Sequence, residues 1–184
     1  MTTSTAPAPI APVLRRLYLA RFGFALVWAV VVFATATSIG PVSATLLVLY
    51  PLVDVAAAVV DARSSRSSRP APGLYATIAT SALAAGGLVF AVTSGIPAVL
   101  RVWGVWAVVA GVLQLVVALR RRDLGGQWAM IASGAISTLA GISFFVQAAA
   151  PDASLRNLAG YALLGGIFFL VSALRLGRGT AVSG

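Results

Sequence analysis

Four aspartates are the only acids in this 184-residue chain, and one of them, Asp54, falls inside a long apolar run. It stands about nine residues before Arg63, which places it near the middle of a bilayer if the run is a membrane span. A charged side chain at that depth costs about 2.5–3.5 kcal/mol on insertion scales, so it needs a counter-charge, water or a proton. Arg21 enters the preceding apolar run from the same side and is the natural partner. Asp61 lies seven residues beyond Asp54 on a similar helix face, close to Arg63. Three chemistries are open to this set. One is a buried Arg21–Asp54 pair that locks two helices together. The second is a titrating carboxylate that passes protons. In the third, Asp54 is neutral and silent, or shallower than mid-bilayer.

The remaining reactive types are missing. There is no histidine, no cysteine and no glutamate. Thiolate or imidazole metal sites, disulfides, histidine-held haem and Ser–His or Cys–His nucleophiles are therefore ruled out. Asp54 and Asp61 share one helix, whereas an aspartyl protease sets two acids on facing helices. Asp61-Ala62-Arg63 matches a fragment of a lipid-head phosphotransferase motif, but the other acids and the glycine of that motif are absent. Catalytic residues, a cofactor and a metal site are thus not expected.

The elements that must position Asp54 are apolar segments at about 17–36, 42–62, 73–95, 97–119, 124–149 and 156–174. A membrane-spanning helix needs about 20 such residues. Sixty per cent of the chain is hydrophobic and 9% charged, against about 25% charged in a soluble domain. The expected fold is all-α: six transmembrane helices as three tandem hairpins. Residues 15–178 form the membrane domain, with a flexible tail at 1–14 and another at 179–184.

All thirteen basic residues are arginines, and they set the topology. Arg15, Arg16 and Arg21 open the first segment. Arg63, Arg66 and Arg69 separate the second and third, Arg120, Arg121 and Arg122 the fourth and fifth, and Arg175 and Arg178 follow the sixth. The alternate connections carry almost nothing basic, with Arg101 and Arg156 as the exceptions near them. Basic loops stay cytoplasmic, so both termini are expected there. Arginine usage and the abundance of Ala, Val and Gly point to a GC-rich bacterial genome and to the inner membrane as a multi-pass protein. The net charge of +9 then reflects topology and attraction to anionic lipids rather than nucleic-acid binding. Homo-oligomers and protein partners are not encoded in any motif. Arg15-Arg16 with Ala34-Thr35-Ala36 also fits a signal peptide, but the apolar run exceeds the usual h-region of about 7–15 residues.

The hairpins resemble one another with a period of about 55 residues. Tyr161-Ala162 aligns with Trp106-Ala107, Gly166 with Gly111, and Ala173-Leu174-Arg175 with Ala118-Leu119-Arg120. Tyr50 falls near the same aromatic position, and Tyr75-Ala76 aligns with Trp128-Ala129. Parallel repeats of this kind occur in transporters. Small residues mark close helix contacts in membranes. Gly104 and Gly111 are seven apart, as are Gly134 and Gly141, so each pair shares a helix face; Gly165 and Gly166 add another smooth patch, as do Gly86 and Gly87. Trp103 and Trp128 are expected as interfacial anchors, Trp28 and Trp106 as packing residues. Pro51 and Pro97 are candidate kinks, and Gln114 and Gln147 candidate interhelical hydrogen bonds.

Residues 101–178 resemble the HdeD-like acid-resistance membrane protein family. The likeness rests on Arg101-Val-Trp-Gly-Val-Trp through Ala118-Leu-Arg120, Leu124-Gly-Gly-Gln-Trp128, the Ser133–Ile142 stretch and Gly160-Tyr-Ala-Leu-Leu-Gly-Gly-Ile167. It implies six membrane helices built of short repeats and a role in acid or envelope stress without catalysis; no catalytic residue comes with it. The alternative function is a small transporter or proton-conducting channel that uses Asp54.

Overall fold

The computed structural model describes residues 10–64, 72–120 and 128–181. It contains six helices: α1 (Ile10–Ala34), α2 (Pro41–Ser64), α3 (Pro72–Ala91), α4 (Ile96–Arg120), α5 (Trp128–Ala148) and α6 (Arg156–Ala181). There is no strand among the described residues. Each helix is long and apolar enough to cross a membrane. Helices α1 and α6 reach further than the expected spans and take in part of both expected tails. Arg66, Arg69, Arg121, Arg122 and residues 124–127 lie outside the described residues.

Local chemistry starts and stops these helices. Proline opens α2 and α3 and sits in the first turn of α4, where its missing N–H costs nothing. Pro97 is therefore a helix start and not a kink. Ser43, in the first turn of α2, accepts the Gly40 N–H at 2.9 Å, as the reaching-back partner of a capping box does. Gly95 takes φ +96°, the left-handed turn that joins α3 to α4 and that a side chain would strain. Pro51 lies inside α2 and leaves the Leu47 carbonyl without its helical donor. One residue away, the Leu46 carbonyl accepts the indole N–H of Trp28 at 2.7 Å, which ties α1 to α2 at the weakened turn.

Around the bundle each helix packs on the helices next to it in sequence, and α6 closes the circuit on α1. The circuit alternates. The close pairs are α2 with α3, α4 with α5, and α6 with α1; the looser pairs are α1 with α2, α3 with α4, and α5 with α6. Two of the close pairs are thus consecutive in sequence, and the third joins the last helix to the first. In α4 and α5 the reason is on the surface. Gly104 faces Gly141 and Gly111 faces Gly134, and a methyl group on Gly111 or Gly141 would stand 2.7 Å from the opposite carbonyl oxygen. Gly166 of α6 meets Ala25 and Phe22 of α1 in the same manner. Gly165 and Gly86 have no neighbour within 4 Å of where a Cβ would go, whereas Gly87 meets Val102.

Aromatic rings fill the middle. Trp28, Tyr50, Trp103 and Trp106 stack at centroid distances of 4.8–6.1 Å, and Phe24 joins through Tyr50. Trp103 is fully buried there and is not an interfacial anchor, because α4 starts at Ile96 and carries it two turns into the bundle. Trp128, 80% exposed at the start of α5, is placed as an anchor would be.

Candidate functional site

Asp54 and Arg21 meet across the α1/α2 interface as an ion pair. Both lie about six residues inside the ends of their apolar spans, Arg15–Ala34 and Pro41–Val60. At 1.5 Å per residue that is about 9 Å along each span. Their end of the bundle also carries Arg15, Arg16, Arg63, Arg120 and Arg175, and is here the basic end. The two side chains keep 20% and 15% of their surface.

Neither oxygen of the carboxylate is left idle. One accepts from Arg21, and the other accepts the Ser81 hydroxyl of α3 at 2.8 Å. Ser81 in turn accepts the indole N–H of Trp106 on α4 at 3.3 Å. One polar chain therefore crosses four helices: Arg21, Asp54, Ser81, Trp106. The Arg21 guanidinium also lies 4.0 Å from the ring centroid of Phe169, which brings α6 into contact with the same charge. A cation over an aromatic face gains about 0.5–2 kcal/mol, more where water is excluded. Beside the pair is a small cavity of about 10 Å³, room for a single water, lined by Arg21, Phe24, Tyr50, Val53, Asp54 and Phe169.

This arrangement holds charge economically. A carboxylate taken from water loses several kcal/mol of hydration, and an ion pair offsets that only if the remaining lone pairs are also satisfied. Arg21 supplies the charge and Ser81 the second donor. Asp61, the third residue of the expected set, is in α2 near its end; its side chain lies outside the described part of the structure, and nothing places it at this site.

Two members of the site carry no sequence signal of their own. Ser81 is a lone hydroxyl in an apolar run, and Phe169 one apolar residue among many. The glycines Gly104, Gly111, Gly134 and Gly141 lie together at the α4/α5 contact, away from the charge pair. Gln114 donates to the Met130 carbonyl of α5 at 3.3 Å, and Gln147 accepts from Asn157 of α6 at 2.6 Å, so both amides bridge helices. Tyr161 donates to Ser137 at 3.0 Å across α5 and α6. No cluster of acids, histidines or cysteines suited to a metal occurs among the described residues.

No protein-family model matches the chain, and neither a curated protein nor a solved structure matches it.

Proposed function

We propose that the chain is a multi-pass protein of a bacterial inner membrane that serves survival under acid or envelope stress without catalysing a reaction. In this reading both termini are cytoplasmic, because the arginines gather at one end of the bundle. Three tandem hairpins form the bundle; the alternation of close and loose contacts supports a threefold repetition of one unit. The observation that carries the functional reading is Asp54: a carboxylate inside the bundle that bonds Arg21 of α1 and Ser81 of α3 at once. Asp54 and Arg21 offset each other there, so loss of either charge leaves the other unbalanced inside the bundle. The resemblance of residues 101–178 to HdeD-like proteins points the same way.

The test is survival of a host lacking the protein after a shift to acid, with wild type, Asp54→Asn or Arg21→Gln supplied at equal membrane abundance. Wild type restores survival and the two variants do not. Survival with Asp54→Asn equal to wild type overturns the proposal.

The water-sized cavity beside the pair favours a second reading, proton conduction through Asp54. Against it, the aromatic core lies between Asp54 and the far end of the bundle. Proton flux into proteoliposomes after an external acid jump separates the two: flux abolished by Asp54→Asn supports conduction, and flux no greater than in empty liposomes excludes it.

A further inference from the structure

We infer that the chain Arg21–Asp54–Ser81–Trp106, which runs from the basic half of the bundle to its middle, is a latch that keeps two of the three loose helix contacts from parting at the basic end. The inference concerns how the bundle moves and stands whatever signal the cell applies to it.

The argument starts from where each loose contact is tied. The pairs α1/α2, α3/α4 and α5/α6 are each joined by a short connection, 35–40, 92–95 and 149–155, and all three lie at the end away from the basic one. Two of these connections are also bonded to each other: the Leu155 N–H donates to the Ala36 carbonyl at 2.9 Å, and the Ser154 hydroxyl donates to the same oxygen at 3.3 Å. At the basic end the chain runs instead between close-packed neighbours, from α2 to α3 and from α4 to α5. Each loose contact is therefore hinged at one end and has no covalent tie at the other. Closely packed pairs move as units, because packed interfaces are bistable rather than continuously deformable. The permitted motion is parting of the pairs α6/α1, α2/α3 and α4/α5 at the basic end.

Something must hold that end. Across α1/α2 it is the Arg21–Asp54 ion pair. Across α3/α4 it is the Trp106 bond to Ser81, which lies midway along both helices and resists their parting from there. The Asp54–Ser81 bond joins the two ties across the α2/α3 contact, so loss of the carboxylate frees Ser81 as well as Arg21. The third loose contact is different: the Tyr161–Ser137 and Asn157–Gln147 bonds are set within the first two turns of α6, toward the hinged end. The only charged group bonded to Asp54 among the described residues is Arg21; from α3 it meets Ser81, and Tyr50 and Phe169 share its cavity.

The absence of cysteine makes the test direct, since introduced pairs carry spin labels without background. Three pairs report the motion: Leu19→Cys with Ala56→Cys across α1/α2 at the basic end, Tyr75→Cys with Leu113→Cys across α3/α4 at the same end, and Phe33→Cys with Val42→Cys at the hinged end of α1/α2. All six positions are exposed. In Asp54→Asn the first two distances lengthen by about 2 Å or more, the scale of helix shifts in switching proteins, and the third is unchanged. The exchange Arg21→Asp with Asp54→Arg restores the first distance, which separates a latch from general loosening. Unchanged distances in Asp54→Asn, lengthening across α1/α2 alone, or equal lengthening at the hinged end overturns the inference.

Discussion

Replacing Gly111 by alanine puts one methyl group where two helix backbones touch. The new Cβ would stand 2.7 Å from the Gly134 carbonyl oxygen and 2.7 Å from the Thr138 nitrogen, while ordinary contact begins at 3.4 Å. Both neighbours are backbone, so no rotamer change relieves them. The Thr138 hydroxyl, at 2.5 Å, is itself held by its bond to the Gly134 carbonyl. The helices α4 and α5 must part by most of the difference between 2.7 and 3.4 Å. A gap of about 0.5–1 Å forfeits a quarter to a half of the dispersion energy of the atoms it separates. Overpacking of this kind costs about 1–3 kcal/mol. Three contacts under 3.0 Å put the cost at the upper end of that range, and alanine returns up to about 1 kcal/mol of helix propensity, so the net loss is about 2–3 kcal/mol. Gly160→Ala is the matched control: nothing lies within 4 Å of its Cβ position, and only the propensity gain applies. Reversible unfolding in lipid bicelles measures both. Gly111→Ala is destabilised and Gly160→Ala is neutral or stabilised. A Gly111→Ala protein as stable as wild type refutes the close-contact reading of α4 and α5.

The charge pair is expected to be energetically coupled: in a cycle of Arg21→Gln, Asp54→Asn and the double variant, the interaction energy is about 1 kcal/mol or more, measured by the same unfolding assay, and additivity refutes it. Single-tryptophan variants report burial: a water-soluble quencher reaches Trp128 and leaves Trp103 and Trp28 bright, and equal quenching of Trp103 and Trp128 removes the central aromatic core from the fold.

Much of the architecture is legible in the chain because membrane spans announce themselves by length and apolarity. The arginine clusters, the Gly104/Gly111 and Gly134/Gly141 spacing and the reach of Arg21 to Asp54 are local or nearly local signals. The structure adds what is not local. Ser81 becomes a ligand of Asp54 only because α3 packs closely on α2, and no neighbouring residue marks it. Trp103 reads as an anchor from its place near a segment end; its burial follows from packing against Trp28 and Tyr50, two other helices away in sequence. Contact between α6 and α1 has no trace in either segment beyond small residues such as Ala25 and Gly166. Those same residue types leave Gly165 without a neighbour, so glycine alone does not say which face is used.

The closing contact of α6 on α1 sets an order of assembly. Helix α1 is synthesised first and its close partner last, more than a hundred residues later. At about 5–20 residues per second the ribosome needs on the order of ten seconds to deliver α6. For that interval the Ala25 face of α1 has only lipid against it, and Arg21 depends on the arrival of α2 for its counter-charge. The Arg21–Asp54 pair is then the ionic tie available to α1 before its close partner is made. A second nascent chain nearby offers the same α6 surface, and exchange of α6 between copies is the misassembly this order of synthesis invites.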